Sequence, residues 1–308
     1  MNMAGYDLIG DIHGHGTALL ELLEHLGYVN TADGYLHSKR KAVFLGDFID
    51  RGPEQRLVLD TVMPMVRNGN AYAVMGNHEF NALAFSTQHK GQPLREHSHK
   101  NIHQHQAFLD EYDNDPSGKR EVLEFFYQLP LWLEIDGIRV IHACWHDRCV
   151  ELLKSYTGDG LLCPTLLAEA ATQGTDLYKA VEVVLKGYEV ELPDGITFRD
   201  KDGHPRAAVR IGWWNRKATQ LEEVAQPVGI DIQHAGKLPI PSDAPSYDEE
   251  SIPCFVGHYW LRGEQDILAR NVACVDYSVA KGGRLVSYRW RGERELTKAN
   301  FSYADRGL

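Results

Sequence analysis

Short apolar runs, each cut off by glycine and followed by side chains that bind metals or carry protons, punctuate this chain. Residues 6–9 run into Gly10, Asp11, Ile12, His13 and Gly14. Residues 42–45 run into Gly46 and Asp47, with Asp50 and Arg51 close behind. Residues 71–75 run into Gly76, Asn77, His78 and Glu79. Runs this short and apolar, rich in Val, Ala and aromatics, predict buried strands. Helical spacings lie between them. Leu19, Leu20, Leu22, Leu23 and Leu26 mark residues 17–26, closed by Gly27. Leu57, Val58, Thr61, Val62 and Val66 mark 54–67, with Pro53 at the helix start and Pro64 set to kink or close it. Three strand–loop–helix units near the N-terminus set the fold class as α/β. In open α/β sheets ligands bind beyond the carboxyl ends of the strands, where all three loops sit.

Further on, residues 89–105 are polar and hold His89, His97, His99, His103 and His105. His99 and His103 share a helix face, but the expectation is a solvated helix or lid beside the site. Residues 119–129 are helical by pattern. Asp136 and Gly137 then turn a hairpin whose second strand, 138–142, ends in His142, Ala143 and Cys144. Cys144 is expected to be a small packing residue.

From 150 to 250 the pattern changes. Helical spacings at 161–171 and 177–185 give way to turns at 192–195 and 201–205, a Trp213–Trp214 pair and a Pro/Gly/Ser-rich stretch. The reading is a cap or insertion within a single domain spanning 1–308, and the place for substrate selectivity. Core strands resume at 252–256, ending in Gly257, His258 and Tyr259. They continue at 271–275 and 285–290, with a Gly282–Gly283 turn between the last two.

Composition narrows the function. The chain has 308 residues, 43% hydrophobic and 24% charged, ordinary for a globular protein. A net charge of −11 argues against nucleic acid as a partner, because phosphate backbones need a basic footprint. Small anionic substrates remain open, since divalent metals reverse the local field. No run approaches the roughly 20 apolar residues of a membrane span. The first strand begins so early that a signal peptide is not expected, and five cysteines without a C-x-x-C pair read as reduced thiols. A cytoplasmic location is therefore expected.

Collected at the strand ends are Asp11, His13, Asp47, Asn77, His142 and His258. Carboxylate, amide and imidazole donors without thiolates suit Mn, Fe or Zn, and six exceed what one catalytic metal with an open position needs. They fit two divalent ions sharing one carboxylate, a pair that clamps a phosphoryl oxygen and supplies hydroxide. Arg51 is left as a phosphate clamp and His78 as a general acid. Taken singly, Asp11 and Asp47 also read as helix caps, Asn77 as a turn former and the histidines as core residues.

The blocks GDIHG, GDFIDRG and GNHE, followed by VIHA and VGHY, resemble the calcineurin-like metallophosphoesterases, within them the phosphoprotein phosphatase branch. The HA after the fourth strand is similar to bacterial symmetrical diadenosine tetraphosphatases and bacterial protein phosphatases. The resemblance covers residues 5–85 well and 150–250 hardly at all. It implies two packed mixed β-sheets flanked by helices, and a binuclear-metal phosphohydrolase acting on a phosphoprotein, nucleotide or other phosphorylated small molecule. By motif, Asp11 and His13 would bind one metal, Asp47 would bridge, and Asn77, His142 and His258 would bind the second, with Mn2+ preferred over Fe or Zn. Asp50 would orient His78, and Arg51 would hold phosphate. Arg210, Arg216 and Arg262 are candidates for the second phosphate-binding Arg. Glu79 has no role beyond a helix first-turn acid. Phosphodiesterase relatives carry GHxH where this chain has Gly257, His258, Tyr259 and Trp260, which favours a phosphatase. The competing readings are a phosphodiesterase or nuclease, and an inactive metal-stabilised interaction module.

Overall fold

The structure, a computed structural model, describes residues 5–199, 203 and 205–304. Of the turn expected at 201–205, Lys201, Asp202 and His204 lie outside the described residues.

Alternation along the strands decides the layering. Tyr6–Ile9, Lys41–Phe44 and Ala71–Ala73 pair in parallel, Ile9 opposite Phe44 and Phe44 opposite Ala73. Tyr6, Leu8 and Val43 fall in one apolar cluster with Ile138, Val140, Phe255 and Ala273 of a second sheet. Ile9, Ala42 and Phe44 fall in another, with Leu19, Leu22 and Leu23 of helix α1 (Gly16–Leu26) and Val58, Leu59 and Val62 of α2 (Gln55–Arg67). Period two thus sends one set between the sheets and the other under the helices.

The first sheet runs Asp276–Tyr277, Arg284–Trp290, Tyr6–Ile9, Lys41–Phe44, Ala71–Ala73, with Phe301–Tyr303 also on Arg284–Trp290. Arg284–Trp290 is antiparallel to Tyr6–Ile9, so the sheet is mixed. The second runs Val272–Cys274, Cys254–Val256, Ile138–Ile141, Trp132–Ile135, parallel except for its last pair. Two packed mixed sheets flanked by helices is the architecture the chain adopts. All five chemical loops leave the carboxyl ends of parallel strands of these sheets.

Several details depart from expectation. Helix α2 begins at Gln55 with Glu54 as its cap, so Pro53 stands outside it, and Pro64 does not end it before Arg67. The strands expected at 271–275 and 285–290 belong to different sheets: the chain crosses from one to the other between Cys274 and Asp276. The 150–250 segment is of two kinds. Val150 and Leu153 of the helix Asp147–Thr157, Leu167 of the helix Pro164–Ala170 and Val181, Val184 and Leu185 of the helix Asp176–Lys186 join the main core. Leu192, Val209, Ile211, Leu221 and Val224 form a small cluster of their own. No helix among the described residues is long and apolar enough to cross a membrane.

Candidate metal centre

The loops leave their strands through backbone that ordinary residues avoid. His13 (φ 48°), Asp47 (51°), Asp50 (71°), Arg51 (70°) and His258 (69°) are all left-handed. Each such residue costs about 1–3 kcal/mol and persists only where its surroundings over-determine it, typically at functional sites. Glycines let the loops touch. A Cβ on Gly46 would lie 2.4 Å from the Gly76 nitrogen, and one on Gly257 would lie 2.1 Å from Asp11 Oδ1.

Asp47 sits at the middle. Its Oδ2 faces His142 Nε2 at 3.4 Å, His13 Nε2 at 3.6 Å and His78 Nε2 at 4.0 Å. Its Oδ1 accepts the backbone N–H of His78 at 3.0 Å. His13 Nδ1 donates to the Ile49 carbonyl (3.1 Å) and His142 Nδ1 to the Leu45 carbonyl (2.6 Å). A carbonyl only accepts, so both rings carry their proton on Nδ1 when neutral and leave Nε2 bare. His142 Nε2 then points its lone pair at two acceptors, Asp47 Oδ2 and Asn77 Oδ1 (3.2 Å). His13 Nε2 and both nitrogens of His258 are buried with no hydrogen-bond partner among the described residues. Such lone pairs converging on oxygens call for positive charge between them. A metal-ligating imidazole usually donates its other ring N–H to such a carbonyl, which fixes the ring and its tautomer.

The electrostatics agree. Burial pushes the Asp47 carboxyl up, but His142, His78 and His13 outweigh it and hold it well below the usual range. Burial works against protonated His142, yet Asp47 and Asp11 lift it to about 10. Burial holds His13 and His258 well below the usual imidazole range. Asp11 is pushed up by burial and by Asp276, and it accepts the His258 N–H at 3.0 Å.

The structure therefore gathers every sequence-predicted donor at one place. Metal-binding atoms of His13, Asp47 and His78 lie within 4.8 Å of one another, as do those of Asp47, His142 and His258. Asp11 faces the pair from the His258 side, and Asn77, the first residue of helix α3 (Asn77–Ser86), reaches His142. His78 is close enough to count as a donor too. Its Nδ1, however, is held by Asp50 Oδ2 at 2.5 Å, the pairing of a proton-handling histidine. Arg51 is exposed and lies over the Trp260 ring at 4.3 Å, while Trp260 also tilts on His13.

Of the three further arginines, Arg216 pairs with Asp248 on the surface and Arg262 is exposed. Arg210 pairs with Glu189 at 3.4 Å through Nη2, but its charge reaches His258 and its Nε is buried without a hydrogen-bond partner among the described residues.

Glu79, His105 and Asp276 are not assigned to the site from the sequence. Glu79 is fully buried and joins the two metal loops by accepting the N–H groups of Asp47 and Phe48 (both 2.8 Å) and of Gly76 (2.9 Å). The block Gly76–Glu79 is a capping-box spacing that signals the Gly76 bond. His105 is buried, not solvated, and donates to Asp50 Oδ1 at 2.7 Å. Its spacing from Phe108, Leu109 and Tyr112 puts it on the inner face of α4 (His99–Tyr112), a signal present in the pattern. His89, His97, His99 and His103 are exposed as expected. Asp276 caps the Trp260 N–H (2.7 Å), and Trp260 borders Arg51. Trp213 and Trp214 are buried: Trp213 Nε1 faces Ala143 O (3.2 Å) and Tyr259 Oη (3.0 Å), the residues that follow His142 and His258. Trp213 packs behind the histidines, and Trp214 stands edge-on to Tyr259. Cys144 is buried, as expected.

Among known proteins, a 74-residue segment is 46% identical to bis(5'-nucleosyl)-tetraphosphatase PrpE [asymmetrical] of Anoxybacillus flavithermus, covering 24% of this chain and 30% of that one. The protein of the same name from Oceanobacillus iheyensis is 34% identical over 139 residues, 44% of this chain and 54% of that one. The similarity thus spans only about a third to a half of these relatives. Both carry the asymmetrical name, where the motif resemblance pointed to the symmetrical enzymes. A protein serine/threonine phosphatase from Saccharomyces cerevisiae superposes with a TM-score of 0.51 at 14% identity, over 99% of this chain and 84% of that one, a likeness of fold. The model of the calcineurin-like phosphoesterases matches residues 6–228, and this chain belongs to that family.

Proposed function

We propose that the chain is a binuclear-metal-dependent phosphohydrolase. The observation that carries this reading is that the Nε2 atoms of both His13 (3.6 Å) and His142 (3.4 Å) converge on Asp47 Oδ2, with all three side chains buried. Members of the family use a pair of divalent metals, and the donors present fit one. Asp11 and His13 would hold the first ion, Asn77, His142 and His258 the second, and Asp47 would bridge. Oxygen and imidazole donors without thiolate suit Mn2+, Fe or Zn2+, and Mn2+ is the ion proposed here. Bound there, such ions polarise a phosphoryl oxygen and activate water.

The chain's own residues supply the rest. Arg51, at the mouth, binds phosphate oxygens with its planar fork, and its place over Trp260 aims it. Arg210, near His258, is the second phosphate ligand. His78 donates a proton from Nε2 to the leaving oxygen, while Asp50 holds the Nδ1 proton and supports the positive charge. A nucleoside polyphosphate is the favoured substrate, because the relatives described above carry a tetraphosphatase name. Within residues 150–250, the part with an apolar cluster of its own, 192–224, acts as a cap within one domain, and the reduced thiols fit a cytoplasmic enzyme. Turnover of diadenosine tetraphosphate, phosphopeptide and aryl monoester by the Mn2+-loaded protein tests this. The dinucleotide is expected to give the highest kcat/KM; a phosphopeptide preference would reassign the substrate, and inactivity on all three would refute the reading.

A further inference from the structure

A phenylalanine would pack at position 105 as well as histidine does. The ring lies stacked on Phe108 (centroids 4.8 Å apart) and tilted on Phe85 (5.3 Å). Yet the chain places an imidazole there, with Nε2 buried and without a partner among the described residues. Leaving a buried polar atom unpaired costs free energy, so the ring nitrogen on the other side must return something. That nitrogen, Nδ1, donates to Asp50 Oδ1 at 2.7 Å.

Asp50 is thereby fixed from every side. Its backbone is left-handed and its N–H is held by Gln55 Oε1 at 2.7 Å. Oδ2 takes His78 and Oδ1 takes His105, donors from two different helices, α3 and α4. Burial pushes the Asp50 carboxyl up, and the His105 and His78 bonds more than reverse that, bringing it to about 2. Without His105, Oδ1 would be a buried charged oxygen lacking its partner, free to satisfy itself by rotating away from His78.

We propose that His105 is a positioning residue for the proton donor: it fixes the Asp50 carboxylate, and through it the His78 ring, by clamping one carboxylate between two imidazoles. The inference rests on the reading of His78 as the acid. It assigns a task to the one buried histidine of a segment otherwise exposed to solvent.

The test uses two variants of the metal-loaded enzyme. His105→Phe keeps the packing and removes the bond; His105→Asn keeps a donor near the Nδ1 position. Across a series of aryl phosphates, His105→Phe is expected to lower kcat about tenfold for the poorest leaving group and little for the best. KM and metal content should not change, and His105→Asn should recover most of the loss. Equal loss across leaving groups, no loss, or no recovery in His105→Asn would overturn the proposal. Proton NMR of the zinc-loaded protein decides the pairing independently of turnover. Among the downfield imidazole N–H signals, two are expected from His78 and His105 on Asp50, beside those of His13 and His142 on backbone carbonyls; His105→Phe should remove its own signal and shift that of His78. A His78 signal that does not move overturns the coupling even if the enzyme proves to hydrolyse none of these esters, an outcome that would instead defeat the functional reading.

Discussion

Glu79 reaches across to the loop of Asp47: Oε2 accepts the Asp47 N–H at 2.8 Å and the Gly76 N–H at 2.9 Å, so one carboxylate oxygen ties two loops that carry candidate metal donors. With Phe48 on Oε1 the side chain satisfies three buried donors that no strand can reach.

Glu79→Gln has one acceptor where the carboxylate has two, and turns an NH2 toward a backbone N–H. It should lower stability by about 1–3 kcal/mol and weaken metal retention. Thermal melts with and without Mn2+ measure both; an unchanged melting temperature would make Glu79 an ordinary first-turn acid.

Stability against pH follows from the same residue. Burial, then Asp47, push the Glu79 carboxyl up from 4.5 to about 7. A folded value above the unfolded one means the native state holds the proton longer, so stability falls as pH rises through that window. Metal-free protein should therefore be less stable near pH 7 than near about pH 5. Glu79→Gln should flatten that slope, and a wild-type slope of opposite sign contradicts the assignment.

His78→Asn should lower kcat by about 10²–10⁴ while leaving metal content intact, with the deficit shrinking for good leaving groups. Asp50→Asn should show a milder form. Because His78 Nε2 lies 4.0 Å from Asp47 Oδ2, loss of a metal ion in His78→Asn would show it to be a ligand instead.

Trp213→Ala should destabilise the fold by roughly 3–5 kcal/mol, since the indole is buried and hydrogen-bonded behind two of the histidines. Its activity loss should be equal for diadenosine tetraphosphate and an aryl phosphate. A loss confined to the dinucleotide would show instead that the indole contacts the substrate base.

The strand-end chemistry was legible because strands are short and glycine-bounded. The residues that matter follow directly in sequence, as in Gly46–Asp47 and Gly76–Asn77. Less legible was anything that depends on which helix packs on which loop. His105 reaches Asp50 only because α4 lies against α2 and the Asp50 loop, a juxtaposition that spans 55 residues. Glu79 looked like a surface acid because helix first turns usually face water, whereas this one begins between two buried loops. The crossing between sheets at 274–276 was hidden because two adjacent short strands carry no mark of which sheet each joins.

The central claim is two divalent ions bridged by Asp47, and back-titration of metal-stripped protein tests it most directly. Hydrolysis of an aryl phosphate should be absent without metal and rise to a plateau at two equivalents of Mn2+ per chain. Asp47→Asn should lose both bound ions together and regain little activity. Full turnover by the stripped protein, a plateau at one equivalent, or an Asp47→Asn variant that works like wild type would contradict it.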